Sequence, residues 1–156
     1  MGREENVLIF QDTEKSIKMS QRLTSEYKKS VSEQKLILEK DRLDAINLDI
    51  YDEAAKIIVS KKRTFEAAKA YRNNKVAVHN FASASNPGGG VIHGSTAQEE
   101  CLCRCSYLYF CLNTPDMWDG FYTPHRQAGN PLHNDDIIYT PVSYTHLRAH
   151  ETGAYL

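Results

Sequence analysis

No run of apolar residues in this chain approaches the roughly 20 needed to cross a bilayer as a helix. Residues Met1 to Gln11 lack the basic start and apolar stretch of a secretory leader. A soluble cytoplasmic protein with no membrane partner is therefore expected. An excess of one charge is missing too: 19 Lys and Arg stand against 20 Asp and Glu, a formal net charge of -1. Such a balance creates no overall field that would draw the protein to nucleic acid, so DNA is not an expected partner and any bound anion must be held locally. The 156 residues give length for one core rather than two, and a monomer is expected.

Cysteines are few, and their spacing suits neither common use. Cys101, Cys103, Cys105 and Cys111 crowd one short segment, so they neither tie distant parts of the chain together nor form the paired CxxC of a zinc knuckle. On a helix Cys101 and Cys105 share a face, which keeps a metal or redox role open beside the reading as reduced, partly buried thiols. Histidines add nothing to the metal reading, since His79 and His93 stand singly and His146 and His150 lie close to the end of the chain.

Among the segments that are present, "DTEKSIKMSQRLTSEYKK" (Asp12 to Lys29) sets Ile17, Met19 and Leu23 among polar positions, as an amphipathic surface helix does. The pieces "KLILEK" and "AINLDI" read equally as short strands or loop. "AKIIVSKK" (Ala55 to Lys62) is a β-branched run, "TFEAAKAYRNN" begins with a capping Thr64 and continues in helix formers, and "NKVAVHNF" carries the short apolar run Val76 to Val78. Ala55 to Phe81 thus predicts a β-α-β unit. Next comes "NPGGGVIHGSTAQEE" (Asn86 to Glu100), followed by "STAQEECLCRCSYLYFCLN", which has the composition of a largely buried helix. The stretch "NTPDMWDGFYTPHRQAGNPLHNDD" predicts a long surface loop, with Trp118, Phe121 and Tyr122 readable as loop packing or as an adenine pocket, and "IIYTP" (Ile137 to Pro141) predicts a strand.

The order strand, glycine loop, helix is the one in which α/β proteins bind ligands, at the carboxyl ends of strands and against helix amino termini. Three glycines free the backbone for positive φ and remove every Cβ, so successive N–H groups can converge on a phosphate; a tight turn at Asn86-Pro87-Gly88 is the plainer reading. Thr96 and Glu99 match a capping box, which would occupy Glu99 in structure. Glu100 is not needed by that box, and the helix dipole alone recommends it at only about 0.3–1 kcal/mol. It is the stronger candidate for chemistry, and a diphosphate in the loop would favour its protonated, proton-donating form.

The segment "NFASASNPGGGVIHGSTAQEECLCRCSYLY" resembles the signature of the microbial poly(ADP-ribose) glycohydrolases, a branch of the macrodomain family, in which a GGG triplet is followed a few residues later by QEE. The triplet here is Gly88, Gly89 and Gly90, and the QEE is Gln98, Glu99 and Glu100. "VSKKRTFEAAKAY" and "YTPHRQAGNPLHNDDIIYTP" extend the likeness from about Val59 to Pro141.

This resemblance implies an α/β fold, a three-layer macrodomain-like sandwich, and hydrolysis of ribose–ribose glycosidic bonds at the end of poly(ADP-ribose), with ADP-ribose as product and no cofactor or metal. Poly(ADP-ribose) or an ADP-ribosylated protein would be the partner. Glu100 would be the general acid and Glu99 its companion on the ribose hydroxyls. Asn80, Asn86, Gly88, Gly89, Gly90, Val91 and Gln98 would line the substrate. A non-catalytic ADP-ribose-binding module and a mono-ADP-ribosyl hydrolase are the alternatives. The expected division is a helical extension over 1–54 packed on the core, the amino-terminal part of the catalytic domain over 55–141, and a tail over 142–156. "VSYTHLRAHETGAYL" in that tail resembles peptide translated from vector or adapter DNA, so the domain is expected to be incomplete at its carboxyl end.

Overall fold

The computed structural model describes residues 2–41 and 52–141. "AINLDI" and the tail from Val142 lie outside the described residues.

Two helices open the chain, α1 (Arg3–Met19) and α2 (Gln21–Glu33), where the sequence predicts one. The break is Ser20, whose backbone is extended and whose hydroxyl accepts from the Leu23 amide at 3.3 Å, so it starts a new helix as an N-cap. Thr24 ties the corner by donating to the Ile17 carbonyl at 2.9 Å. Helix α1 buries Asn6, Phe10, Thr13 and Ile17, a 3–4 residue spacing that lays one stripe on the core.

"KLILEK" resolves as strand: β1 (Lys35–Ile37) pairs antiparallel with β2 (Ile137–Tyr139), with Leu36 opposite Ile138. The expected strand at Ile137 is therefore present. The predicted β-α-β unit is realised only in its helix, α3 (Thr64–Lys69), because residues 54–60 and 75–83 belong to no ladder among the described residues. Glu66 accepts from the Arg63 amide at 3.1 Å at the start of α3.

The predicted buried helix beyond the glycines is divided into α4 (Gln98–Arg104) and α5 (Leu108–Leu112), parted at Ser106, whose hydroxyl turns back to the Leu102 carbonyl at 2.8 Å. The expected surface loop from Asn113 is largely helical instead. It forms α5's successor α6 (Pro115–Met117), a π-helical turn (Trp118–Tyr122) and α7 (Thr123–Ala128). Thr114 caps α6, and Pro115 and Pro124 fall in first turns, where proline's missing N–H costs nothing. This run buries Met117, Phe121, Tyr122 and His125, so the aromatic cluster packs into the core, and only Trp118 lies at the surface margin.

Phe10, Val91, Leu102, Cys103, Leu108, Leu112, Met117, Phe121 and Tyr122 make the main core, and Ile17, Leu23, Tyr107 and Cys111 a second cluster behind it. Burial raises the Cys103 thiol well above its ordinary range and the Cys111 thiol to about 11, the latter opposed by a hydrogen bond with Ser30, so both stay protonated thiols at neutral pH.

Candidate active site

The glycine loop sits between α1 and α4. Gly88 and Gly89 take φ of +67° and +57°, a left-handed pair that other residues adopt only under strain. Gly94, at φ +75°, closes the short 3-10 turn Val91–His93. Its missing side chain lets the Arg3 carbonyl of α1 lie directly against it, and the Asn6 amide donates to the Gly94 carbonyl at 3.0 Å. Thr13 donates to the Arg104 carbonyl at 2.6 Å. Thus α1 forms the back wall of the loop and of α4.

The loop's N–H groups are spent inside the protein, which differs from the expectation that they converge on an external anion. Gly89 donates to the Asn86 carbonyl at 3.0 Å and Val91 to the Gly88 carbonyl at 3.1 Å. Gly90 donates to Glu100 Oε1 at 2.9 Å, and the Gly88 amide donates to the Glu99 carboxylate. The anions that this nest receives are the chain's own two carboxylates. Glycine is required for it: a Cβ on Gly89 would stand 2.6 Å from Glu100 Oε1 and 3.2 Å from Glu99 Oε2.

The capping box is not formed. The N-cap of α4 is Ala97 with no side-chain cap, and Glu99 turns outward from the helix, accepting from the Ser83 amide at 2.8 Å and from Asn80 Nδ2 at 3.4 Å. Desolvation of this buried carboxylate is the largest influence on it, and the neighbouring Glu100 charge adds to it. Together they outweigh the hydrogen bonds from Ser83, Asn80 and Gly88, so Glu99 is held above the ordinary carboxylate value of 4.5. Glu100 is also buried. One of its oxygens is tethered to Gly90 and the other, Oε2, has no hydrogen-bond partner in the protein. Asn80 Oδ1 and the Tyr122 hydroxyl are likewise buried without a protein partner. Burial, followed by the Glu99 charge, pushes the Tyr122 phenol upward.

Gln98 turns its amide onto backbone. Its Oε1 accepts from the Phe81 amide at 2.7 Å, and its Nε2 donates to the His79 carbonyl at 2.8 Å and to Thr64 Oγ1 at 3.2 Å. Asn86 gives its Oδ1 to the Arg126 guanidinium, which also donates from Nε to the Ser85 carbonyl at 2.7 Å and lies over the Trp118 ring at 4.7 Å. Asn80, Gly88, Gly89, Gly90, Glu99 and Glu100 thus meet at one place, Val91 is the buried residue beneath them, and Gln98 and Asn86 brace its two approaches.

Sequence reasoning missed the residues that hold this place together: Asn6, Ser83, Arg104 and Arg126. Arg104 is buried and donates to the Ser95 carbonyl at 2.5 Å and to Cys101 Sγ at 3.1 Å. A lone arginine amid the otherwise apolar "CLCRCSYLYF" was the available signal, since a buried cation must find partners. Among the described residues no group of His, Cys, Asp and Glu is arranged to hold a metal ion, and no helix is long and apolar enough to cross a membrane.

The model of the microbial-type PARG catalytic domain matches residues 4–146, and the chain belongs to that family. No curated protein matches it. Among solved structures it is similar to the poly(ADP-ribose) glycohydrolase (PARG) from Thermomonospora curvata. The identity is 24% and the TM-score 0.69, over 88% of this chain and 55% of that one. It is also similar to the Thermomonospora curvata glycohydrolase bound to the inhibitor ADP-HPD, at 26% identity and a TM-score of 0.68, over 88% of this chain and 53% of that one. The chain therefore has the macrodomain-like fold of these glycohydrolases, helix-rich here with one small sheet, and spans about half of their length.

Proposed function

We propose that the site formed by Glu99, Glu100 and the glycine loop hydrolyses the ribose–ribose glycosidic bond at the end of poly(ADP-ribose), releasing ADP-ribose. The observation that carries this reading is the asymmetry of Glu100: Gly90 fixes Oε1 while Oε2 is left without a partner beside the loop. Family membership and the likeness to the Thermomonospora curvata glycohydrolases support it.

In this mechanism Glu100 Oε2 carries the proton and gives it to the leaving ribose oxygen as the C1–O bond breaks. The ribosyl centre becomes oxocarbenium-like, and the two carboxylates and the substrate's own diphosphate stabilise its positive charge. Water adds to that carbon and returns a proton to the Glu100 carboxylate, so the acid is regenerated. Glu99, steadied by Ser83 and Asn80, orients the ribose hydroxyls. Gln98 and Asn86 act from outside, Gln98 by fixing the backbone that presents Asn80, and Asn86 as the link between the loop's first turn and Arg126.

The test is Glu100→Gln, assayed for ADP-ribose released from polymer and, by calorimetry, for ADP-ribose binding. Loss of a positioned general acid lowers turnover by about 10²–10⁴-fold, with binding nearly unchanged. Undiminished release by the variant removes Glu100 from the role of acid. Parent protein that binds ADP-ribose but cleaves nothing is a reader of the modification, and cleavage confined to mono-ADP-ribosylated protein makes it a mono-ADP-ribosyl hydrolase.

A further inference from the structure

Helix α7 reaches the glycine loop through one side chain. The Arg126 guanidinium donates from Nε to the Ser85 carbonyl at 2.7 Å and from Nη2 to Asn86 Oδ1, and it lies 4.7 Å from the centre of the Trp118 ring. Trp118 is fixed in turn: its Nε1 donates to Asn113 Oδ1 at 2.8 Å, and its ring packs 5.4 Å from that of the buried Tyr122. His125, next to Arg126 in the chain, is buried with its ring nitrogens 2.8 Å from the Phe121 carbonyl and 2.7 Å from Asn134 Oδ1, so the backbone that carries the guanidinium is anchored. A cation on an indole face with two acceptors beside it suits the rigid fork of arginine, which the point charge of a lysine does not reproduce.

The two residues that Arg126 grips stand between the backbone amides that hold Glu99. Ser83 donates its N–H to Glu99 Oε2 at 2.8 Å, and Gly88 donates to the same carboxylate. Between them the chain is closed into a turn by the Ser83 hydroxyl, which accepts from the Ser85 amide at 3.3 Å and from the Asn86 amide at 3.1 Å. From Asn86 the hold passes onward: its carbonyl accepts from Gly89 at 3.0 Å, and Gly90 donates to Glu100 Oε1 at 2.9 Å. Asn86 and Arg126 are exposed, so their contact adds little to overall stability, and its effect is on where the turn sits.

We propose that Arg126 is a positioning residue for the two carboxylates: by clamping Ser85 and Asn86 against Trp118, it fixes the turn whose amides hold Glu99 and, through Gly89 and Gly90, Glu100. It acts through the backbone of residues 83–90 and not as a substrate contact. Its bearing on turnover rests on the hydrolase reading above, whereas its hold on the carboxylates does not. That hold has a measurable sign at Glu99. The Ser83 and Gly88 amides lower the Glu99 carboxyl against the burial that raises it, so a turn that drifts lets the carboxyl rise further. Among the described residues the titratable groups that face Glu99 are Glu100 and Cys103 of α4 and Tyr122 of the π-helical turn, and all three stay in place when Arg126 is replaced.

Carbon-13 NMR titration of the glutamate carboxyls in the 156-residue chain tests this without substrate, with the Glu99 signal assigned by its loss in Glu99→Gln. Arg126→Lys keeps the positive charge and loses the fork. Its Glu99 midpoint should move up from the parent's while its thermal midpoint stays the same, a pairing that a merely stabilising contact does not give. Asn86→Ala, which leaves Arg126 the Ser85 carbonyl alone, should move the Glu99 midpoint less and in the same direction, and it decides the matter if the lysine variant does not fold. A Glu99 midpoint equal to the parent's in the folded variant overturns the proposal. In the polymer assay Arg126→Lys should lower kcat on the order of 10-fold with KM nearly unchanged. A rise in KM alone would make Arg126 a substrate contact and overturn the proposal as well. A shifted midpoint in a chain that releases no ADP-ribose would leave the hold on the carboxylates standing and remove the hydrolase assignment.

Discussion

Residues 79–112 and residues 52–78 adjoin in the chain and are organised in opposite ways. In the first, polar groups are tied to one another within the protein: the Gly90 amide on Glu100, Arg104 on Ser95 and Cys101, Gln98 on the backbone of His79 and Phe81. In the second, large apolar side chains lie open, and helix α3 has no buried residue. The candidate site is held by α1 and by local hydrogen bonds from its own loop. Contacts between distant parts of the sequence, such as Asn6 to Gly94, contribute to it.

The sharpest way to break this contrast is Gly94→Ala. With φ at +75° and the Arg3 carbonyl in the space the methyl group would enter, α1 must back away from the loop. A loss of about 3 kcal/mol or more is expected in urea unfolding. A change below about 0.5 kcal/mol would show that α1 is not the wall that holds the loop. Gly89→Ala comes next: its methyl group would meet Glu100 Oε1, so the acid must shift. Release of ADP-ribose should fall about 10²-fold, as for a misplacement near 1 Å, with a smaller stability loss. Unchanged release would mean that Glu100 does not act from the position it occupies.

Glu99→Gln tests the electrostatics of the same region. The folded protein holds a proton on Glu99 more tightly than the unfolded chain does, because its carboxyl is raised above 4.5. That contribution to stability is fully present below about pH 4.5 and is lost as pH rises through the raised folded-state value. The variant should therefore gain on the parent as pH rises from 4 to 8 in thermal unfolding, and a difference independent of pH would exclude the raised carboxyl. The smallest effect belongs to the other region: Ile57→Ser in the lone chain should stay within about ±0.5 kcal/mol. A larger loss would place Ile57 in a core.

The meeting of the glycine loop with Glu99 and Glu100 was legible because a glycine triplet and two acids at a helix start are rare without a reason, and the spacing set them close together before any contact was known. Their support was not legible in the same way. Ser83 acts through its backbone amide, which any residue but proline supplies, and Asn6 and Arg126 reach the loop from 88 and 40 positions away, distances that no local pattern encodes. The capping box failed because Glu99 takes its hydrogen bonds from Ser83, Asn80 and Gly88 instead of from its own N-cap. The loop reading of Asn113 to Asp136 failed over Pro115 to Ala128, and held beyond it, because prolines that punctuate loops also open helices, and Thr114 with Pro115 forms such an opening. The strands at Ala55 and Val76 were read from composition, which describes the environment those residues suit rather than the one present among the described residues.

The clasp between Asn6 and the Gly94 carbonyl also sets a schedule for biosynthesis. It joins residues 88 apart, and the Ser30 hydroxyl donates to the Pro141 carbonyl across 111. At ribosomal speeds of about 5–20 residues per second, α1 emerges roughly 4–18 s before the loop it must grip. For that interval Phe10 lacks its partners from the loop and α4, Val91 and Leu102, whereas Ile17 can already pack against Leu23 of α2.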